Sequence, residues 1–446
     1  MHTDSMKQLK LPESHLIRDH VVLSLNKYWP EEEKKIKNLP VKSLKEDIKI
    51  SLPLELVEVK LPKWSKHSGV GGLILVPREA VIKEGFGDKE VWENIDWFLA
   101  CFLLMECWHE RVYELNFGPI HSYSFRLKRW DQRVWDRAWV NRICIFFLEW
   151  HNYMYSSYEA INIPKLKISM THDVDAIDKT LAIVLKQTIF NSFNLLKALL
   201  IFDFKRARFL LTKIYVFVFK KSNWWLFDEV LFLEQEANIK SIFNFYADIK
   251  KQSLKSWLMN PSYKLDNPRL RRLFKTLKEN GNLIGLHPAY DSWKDSDLYS
   301  AEREILEEAS SSEVRSCRQH WLRFSWSDTW IAQQRSGLLH DSTLMFNDRP
   351  GFRASCIATW RPWDVENFSS LNIEITPSIM MDSHFYDYNS KKIDVCDKME
   401  YFLEESNYVG GDIYVLWHTH TLSEEYGWRS GFKQLLKLIS NLNLNK

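Results

Sequence analysis

In the stretch KLKISMTHDVDAIDKT, residues 165–180, an apolar run is followed by a histidine and two closely spaced aspartates. Alternating side chains over residues 167–170 predict a short strand, so the letters THDVD fall where that strand ends and a connection begins. Asp173 and Asp175 lie close to His172 in sequence, and this crowding costs like-charge repulsion and desolvation unless a cation, a proton or solvent compensates. Because core packing does not require such a cluster, we interpret the strand end as a functional site.

Strand-like and helix-like segments alternate from Lys165 to the C-terminus. Strands are predicted for KISM, SIFNFYAD, NLIGLH, IEITPS and DIYVLWH, and helices for stretches such as NPRLRRLFKTLKENG and VCDKMEYFLEES. This order predicts a parallel β/α architecture over residues 161–446, either an open sheet or a barrel. Residues 1–160 mix strands such as GGLILVP with helical stretches such as WFLACFLLM, which predicts a separate N-terminal α+β domain.

A basic and aromatic segment, residues 180–223, interrupts this alternation. Between Lys197 and Lys221 it carries seven cations and a single acid, Asp203. One interpretation is an amphipathic helical insertion that makes peripheral contact with an anionic membrane surface. The other is a helical pair packed on the β/α domain, with its cations at a solvated rim.

Overall composition limits the classes of partner and compartment. The chain of 446 residues carries 60 basic and 58 acidic side chains, a balance without the electrostatic footprint of a nucleic-acid-binding protein. The six cysteines show no CxxC spacing, so reduced thiols and a cytoplasmic setting are expected. The N-terminal residues lack the apolar core of a secretory signal, and no run approaches the roughly 20 apolar residues that span a bilayer.

Two further predicted strands also end in histidines. His287 follows NLIGL, with Asp291 four residues later, and His418 and His420 follow IYVLW. The carboxyl ends of parallel strands meet at one edge of a sheet, so we expect these side chains to converge with THDVD. A single histidine would more often be a structural residue, whereas three polar clusters at three strand ends favour a site. Aspartate and histidine together suit a divalent metal, most commonly zinc.

At these residues the chain resembles the polysaccharide deacetylase family, carbohydrate esterase family 4, and especially a divergent bacterial branch whose first motif reads HDVD. The resemblance covers Lys165 to the C-terminus, and the preceding zone resembles the N-terminal domain that accompanies this branch. It implies an irregular (β/α) barrel. It also implies an enzyme that removes N-acetyl groups from sugars with a bound divalent metal.

The first two motifs of the family supply the implied base and metal ligands. THDVD resembles the first motif, which implies Asp173 as general base and Asp175 as a metal ligand. GLHPAYDS resembles the second motif, in which His287 matches the first of two histidines and Asp291 stands where the second should be. A carboxylate can still bind a metal, and His320 in SCRQHWLRF is an alternative third ligand. His320 would equally fit a core position.

The remaining motifs supply the implied acid, an orienting cation and substrate contacts. LRFSWSDTW is similar to the arginine motif and points to Arg323, which would orient the base or simply brace a strand end. VLWH is similar to the last motif and points to His418 as general acid. LLHDSTLMFNDRPGFRAS resembles this branch and adds Asp341 and Arg353 as substrate-binding candidates. Among the 20 tryptophans, Trp321 lies near these motifs and would offer a flat apolar face to a sugar ring.

Together the residues and the resemblance predict a metal-dependent hydrolase that removes N-acetyl groups from a sugar of a bacterial surface polysaccharide or its precursor. It would act in the cytoplasm or peripherally at the inner membrane. The alternative is a catalytically inactive barrel that binds glycans or acts as a scaffold, for which Asp291 is the main support. A third interpretation assigns the main function to residues 180–223 and makes the protein a peripheral membrane adaptor. The sequence assigns neither the sugar nor an oligomeric state.

Overall fold

The computed structural model describes residues 6–44, 48–83, 90–157, 159–247, 253–387 and 394–444. The chain forms two compact units, each built from segments that are discontinuous in sequence. The first unit comprises Met1–Ser169, Asp291–Ser300 and Arg315–Val415, and the second comprises Met170–Tyr290, Ala301–Val314 and Leu416–Lys446. The predicted domain boundary near residue 160 stays a prediction.

The α-helices of the described chain are numbered in chain order. They are α1 (Ser14–Asn26), α2 (Glu33–Lys37), α3 (Trp97–Met105), α4 (Trp108–Phe117), α5 (Trp139–Met154), α6 (Leu181–Leu200), α7 (Phe204–Phe219), α8 (Phe227–Glu236), α9 (Leu254–Met259), α10 (Pro268–Glu279), α11 (Ser296–Ser310), α12 (Thr329–Arg335), α13 (Ser383–Tyr386), α14 (Val395–Val409) and α15 (Arg429–Leu444). Among the residues that the structure describes, no helix has both the length and the hydropathy needed to cross a bilayer.

The strands are numbered in the same way. They are β1 (Leu56–Lys60), β2 (Leu73–Pro77), β3 (Glu90–Val91), β4 (Lys167–Val174), β5 (Ser241–Phe245), β6 (Leu283–Leu286), β7 (Ser316–Cys317), β8 (His340–Asp341), β9 (Trp363–Asp364), β10 (Ser369–Ser370), β11 (Glu374–Ile375), β12 (Ser378–Met381) and β13 (Asp412–Leu416). The largest sheet has the strand order β11-β8-β7-β6-β5-β4-β13-β12, and two small sheets have the orders β2-β1-β3 and β10-β9.

The first unit is organised around the apolar helix α3. All nine of its side chains are buried, and the Asp96 carboxylate caps the helix by accepting a hydrogen bond from the Leu99 N–H. Phe98 packs against Phe147 of α5 with ring centroids 5.0 Å apart. The uninterrupted apolar sequence of α3 is therefore that of a core helix.

The second unit contains three neighbouring strands that position the candidate site. β4 pairs with β5 and β5 pairs with β6, both in parallel, with Asp173 opposite Asn244 and Phe245 opposite Leu286. Helix α10 begins at Pro268 after an Asn267 cap and buries its leucines and Phe274. Parallel strands that alternate with such amphipathic helices confirm the predicted α/β class. The polysaccharide-deacetylase type of barrel and the separate N-terminal α+β domain stay predictions.

Strand β4 is longer than its alternating pattern predicts. The alternation predicts a strand over residues 167–170 with THDVD after it, but β4 continues to Val174. The continuation arises because Met170 to Val174 pair with the whole of β5, from Ser241 to Phe245. His172 and Asp173 therefore lie on the strand, and Asp175 lies beyond its end.

The basic and aromatic segment forms a pair of helices, α6 and α7. They contact each other through Ala198, Ala207 and Leu210, with Leu195 packed against this small cluster. A short bend over residues 201–203 joins them. Most of their remaining large apolar side chains are exposed.

Candidate active site

Four of the predicted site residues come together in the second unit. His287 Nε2 lies 3.3 Å from Asp175 Oδ1, and His287 Nδ1 lies 3.9 Å from Asp173 Oδ2. His418 Nε2 lies 3.6 Å from the other carboxylate oxygen of Asp175, Oδ2. Asp173 and His287 are buried, whereas Asp175 and His418 are partly exposed. The arrangement places two carboxylates and two imidazoles in one partly accessible cluster.

Backbone hydrogen bonds fix the positions of the two residues that carry the imidazoles, His287 and His418. The His287 N–H donates a hydrogen bond to the Phe245 carbonyl at 2.8 Å, which extends the pairing of β6 with β5 by one residue. The Trp417 N–H donates to the Thr171 carbonyl of β4 at 3.0 Å. After Trp417, the Thr421 hydroxyl donates to the His418 carbonyl at 2.7 Å and closes a tight turn. The two histidines are thus held by residues next to strand ends.

Asn244 is a site residue that the sequence analysis missed. Its side-chain Nδ2–H donates a hydrogen bond of 2.8 Å to Asp173 Oδ1, and both side chains are buried. The strand register places the two residues opposite each other on β5 and β4. This donor fixes the orientation of the Asp173 carboxylate.

His172 is held by a second buried network. Its Nδ1 lies 2.7 Å from the Trp417 carbonyl, which can only accept, so Nδ1 carries the proton and donates. Its Nε2 lies 2.7 Å from Glu234 Oε1, and the Ser241 hydroxyl donates to the same oxygen. With both ring nitrogens occupied, His172 ties α8 to the segment that carries His418.

The donor atoms around Asp175 fit a divalent metal. Two ligands of a tetrahedral zinc ion, each about 2.1 Å from the metal, are about 3.4 Å apart. The separation of 3.3 Å between Asp175 Oδ1 and His287 Nε2 matches this value. Aspartate oxygen and histidine nitrogen are also the donor types that zinc accepts. Asp175 and His287 are therefore able to share one metal ion.

Asp291 and Arg323 form an ion pair in the first unit. Arg323 Nη1 donates a hydrogen bond of 2.8 Å to Asp291 Oδ1, and the guanidinium lies over the Trp293 ring, 5.2 Å from its centroid. The side chain of Asp291 is 42% exposed. This carboxylate already has a cationic partner, which disfavours Asp291 as a metal ligand. The predicted roles of Asp291 and Arg323 stay predictions.

His320 and Trp321 lie in a short 3-10 helix of the first unit, His320–Leu322. His320 is buried, whereas Trp321 is 45% exposed. Trp321 has a left-handed backbone with φ of 57°, which is unfavourable for a bulky residue, and its carbonyl accepts a hydrogen bond from Asn347. The local backbone therefore holds an indole at the surface. Metal binding by His320 and substrate binding by Trp321 stay predictions.

Asp341 is bound inside the first unit. Its carboxylate accepts hydrogen bonds from Trp330 Nε1, Gln333 Nε2 and both the N–H and the hydroxyl of Thr343. Burial raises the pKa of this carboxyl. These contacts give Asp341 a bracing role in the core. Its predicted contact with substrate stays a prediction.

Arg353 has a similar environment. Its guanidinium donates to the Glu110 carboxylate at 2.8 Å, to the Ser122 hydroxyl at 2.7 Å and to the Met345 carbonyl at 3.1 Å. Such a set of buried charge-assisted hydrogen bonds is that of a structural arginine. The predicted substrate-binding role of Arg353 also stays a prediction.

A cavity of about 510 Å³ in the second unit begins at Ala176, the residue that follows Asp175. Its lining includes Ile177, Asp178, Thr180, Tyr263 and Asn267. Burial raises the pKa of the Tyr263 hydroxyl well above its usual value, and the nearby charges of Asp175 and Asp173 act in the same direction.

That hydroxyl accepts a hydrogen bond from the Tyr246 N–H at 2.6 Å, so its own proton remains able to point toward a ligand. The cavity volume is within the usual range for small-molecule sites. Its lining combines apolar side chains with several hydrogen-bonding groups.

No protein-family model matches the sequence, and no curated protein sequence matches it. Solved structures that match include a putative polysaccharide deacetylase from Mycobacterium smegmatis, with 14% identity, a TM-score of 0.36 and coverage of 63% of this chain and 86% of that chain. They also include a CE4 family pseudoenzyme from Bacillus anthracis, with 10% identity, a TM-score of 0.27 and coverage of 65% and 66%. A mutant of that pseudoenzyme with restored enzymatic activity matches at 10% identity and a TM-score of 0.27, with coverage of 65% and 69%. These TM-scores lie below 0.5, so the function of the site has to be inferred from its own geometry.

Proposed function

We propose that the protein is a metal-dependent hydrolase that removes N-acetyl groups from a sugar of a bacterial surface polysaccharide or its precursor. The observation that carries the proposal is the cluster in which Asp175 lies 3.3 Å from His287 and 3.6 Å from His418, with Asp173 beside His287. Amide hydrolysis needs a Lewis acid, a base and an acid, and these four side chains have the chemistry to supply a metal site and both proton carriers.

Asp175 and His287 would hold the metal, because their donor atoms already lie at the separation of two zinc ligands. We propose His320 as the third ligand in preference to Asp291, since Asp291 is engaged by Arg323. A divalent metal bound there would polarise the acetyl carbonyl and acidify a water molecule. The remaining steps fall to side chains of this chain.

Asp173 would accept the proton of the attacking water. Its buried carboxylate is oriented by Asn244, and its other oxygen lies 3.9 Å from His287. The Asn244 amide therefore fixes the direction in which this carboxylate points. A carboxylate held in a fixed orientation is suited to act as general base.

His418 would deliver a proton to the departing amine. Its Nε2 lies 3.6 Å from Asp175 Oδ2, and its side chain is 17% exposed, so the ring reaches both the cluster and solvent. An imidazole can give up a proton near neutral pH, which collapse of a tetrahedral intermediate requires. The two proton carriers, Asp173 and His418, would then act in succession.

The cavity that begins at Ala176 would hold part of the substrate. A sugar combines apolar ring faces with hydroxyl groups, and the cavity lining combines Ile177 with Asp178, Thr180 and Tyr263. Trp321, with its exposed indole, would add a stacking surface. An N-acetylated carbohydrate is therefore the substrate class that we propose.

The six cysteines support a cytoplasmic location, either in solution or at the inner face of the membrane. All six are free thiols, and five of them are buried. Reduced, buried cysteines are typical of a reducing compartment. A polysaccharide precursor assembled in the cytoplasm would be accessible to such an enzyme.

The decisive experiment measures acetate release. Purified protein incubated with zinc and N-acetylated oligosaccharides should release acetate, with about one metal ion bound per chain. Removal of the metal with a chelator should stop the release, and its return should restore it. A protein that binds one metal but releases no acetate from any N-acetylated sugar tested would contradict the proposed reaction.

A second candidate function is a catalytically inactive barrel that binds glycans or acts as a scaffold. The observation that favours it is the ion pair between Asp291 and Arg323, because both residues stand at motif positions expected to serve catalysis. On this alternative the protein would bind the glycan without binding a metal. Metal stoichiometry and glycan affinity, measured on the same preparation, therefore separate the two functions.

Replacing Asn244 with alanine should lower kcat about tenfold and leave metal binding unchanged. The variant loses one hydrogen bond to an ionised carboxylate, worth roughly 1.5 kcal/mol, and this loosens Asp173 without removing it. Asn244→Asp should be worse, since it puts a second carboxylate against the first. Unchanged kcat in Asn244→Ala would show that Asp173 needs no such orientation.

A further inference from the structure

The α6–α7 pair carries a concentration of exposed apolar side chains. Sixteen of the 34 large hydrophobic side chains that are exposed in the described chain lie between Leu181 and Phe219. On α6 they include Leu185, Ile189 and Phe193, spaced four residues apart and therefore on one face of the helix. A water-soluble protein rarely leaves so large an apolar surface uncovered, so this pair is expected to have a binding partner.

The bend between the two helices and the residues beside it expose several large apolar side chains. Leu200, Phe202 and Phe204 are 69%, 77% and 67% exposed. Phe202 has a left-handed backbone with φ of 55°, an unfavourable conformation for a bulky residue. The Asp203 N–H bonds the Ala198 carbonyl at 2.9 Å, and the Asp203 carboxylate caps α7. The bend is thus a defined turn that presents aromatic rings to the outside.

Cations surround these apolar side chains. Lys205, Arg206 and Arg208 follow the bend within the first turns of α7, and all three are exposed. Lys197 precedes the bend on α6, with its ammonium 4.3 Å from the centroid of the Phe193 ring. Asp203 is the only acid between Leu181 and Lys221, and its carboxylate is engaged as a helix cap. The partner should therefore combine an apolar interior with a negative surface.

From these observations we propose that the bend of the α6–α7 pair, with the adjoining turns of both helices, docks on an anionic lipid bilayer. Aromatic and aliphatic side chains would enter the boundary between headgroups and acyl chains, while the cations bind anionic headgroups. A second copy of the chain fits less well, because its own cations would be brought against these. A nucleic acid would satisfy the cations but leave the exposed leucines and phenylalanines in water.

This proposal goes beyond the proposed reaction, since lipid binding requires neither a metal nor Asp173. The cavity that begins at Ala176 also includes Thr180, which caps α6, and Ile183 of its first turn. A bilayer bound by this pair would therefore hold the protein by the same helix whose other end lines the proposed substrate cavity. Such docking would favour substrates that are attached to lipid, because it would hold the cavity near the bilayer.

Vesicle flotation with the full chain tests the proposal. The protein should float with vesicles of phosphatidylcholine and phosphatidylglycerol and stay unbound with phosphatidylcholine alone. Binding should weaken between 0.1 M and 1 M salt, where the screening length falls from about 10 Å to about 3 Å. Equal binding to both vesicle types, or none to either, would overturn the proposal.

Charge reversal at the bend provides the first variant. Lys205→Glu/Arg206→Glu/Arg208→Glu should reduce partition into anionic vesicles by about 100-fold or more, since each cation near the surface contributes about fivefold. The control is Arg271→Glu/Arg272→Glu/Lys275→Glu, which makes the same charge change on exposed positions of α10. Loss of binding in both triple variants would point to net charge alone and contradict the proposed docking site.

Polar substitution at the bend provides the second variant. Leu200→Ser/Phe202→Ser/Phe204→Ser should reduce vesicle binding more than tenfold and leave acetate release from a soluble substrate unchanged, because these side chains are exposed and support no core. Sedimentation of the unmodified chain without lipid should show no self-association through this surface. A dimer that the triple serine variant abolishes would assign the surface to a second copy of the chain.

Discussion

Replacing Asp175 or His287 with alanine should abolish divalent metal binding and acetate release together. Each residue would supply one of the two donor atoms that lie 3.3 Å apart, and a metal that loses a direct ligand loses more than the 10- to 100-fold that changes to supporting residues cost. We therefore expect zinc affinity to fall by more than about 100-fold in either variant. Isothermal titration with zinc and metal analysis of the purified protein would measure it.

Asp178→Ala is the matched control for the metal prediction. Asp178 lies three residues beyond Asp175, but its carboxylate pairs with Arg269 at 3.0 Å and is 48% exposed. This variant should keep its zinc, since it removes an acid from the same connection without touching the cluster. If Asp175→Ala and Asp178→Ala bind zinc equally well, the metal site is not where we propose it.

The same titration identifies the third ligand. His320→Ala should lose affinity for zinc, whereas Asp291→Ala should retain it, because the Asp291 carboxylate is paired with Arg323. The opposite result would show that Asp291 exchanges Arg323 for the metal when the metal binds. Thermal unfolding of each variant would identify any loss that comes from misfolding.

Asp173→Asn should lower kcat by about 10²- to 10⁴-fold and leave zinc affinity and substrate affinity nearly unchanged. The amide is similar in size and still lies opposite Asn244, so the strand pairing is kept, but it cannot accept a proton from water. Single-turnover kinetics and a direct binding measurement with the acetylated sugar would separate turnover from affinity.

Asp173→Asn and Asp175→Ala should differ in whether they retain the metal. The first should be a metal-containing protein without turnover, and the second a metal-free one. Activity of Asp173→Asn at the level of the unmodified protein would exclude Asp173 as the base. Loss of zinc in Asp173→Asn would instead make Asp173 part of the metal site.

The sequence could predict the cluster because strand ends are visible in the pattern of side chains. An apolar run that stops at His287 and another that stops near His418 mark two carboxyl ends, and parallel strands bring such ends to one edge. The α/β class follows from the same alternation. The alternation predicts β4 too short, because the last residues of this strand owe their conformation to pairing with β5 and not to their own alternation.

Other features depend on information that local patterns do not contain. Asn244 looks like an ordinary polar residue in SIFNF, and only the register of β5 against β4 places it on Asp173. The pairing of Arg323 with Asp291 joins residues 32 positions apart and depends on how two connections fold. The two-residue strands β7 and β8 are too short to show any period. Strand register and loop conformation are therefore the features that local sequence patterns do not predict.

The two buried hydrogen bonds of the His172 ring have a consequence for the proposed reaction. The imidazole of His172 bonds the Trp417 carbonyl on one side and Glu234 of α8 on the other. Asp173 follows His172 in the chain, and His418 follows Trp417. Asp173 and His418 are the two proposed proton carriers. We expect these hydrogen bonds to limit the movement of Asp173 and His418 relative to each other. The base and the acid would then keep a fixed spacing, which the acetylated sugar has to match.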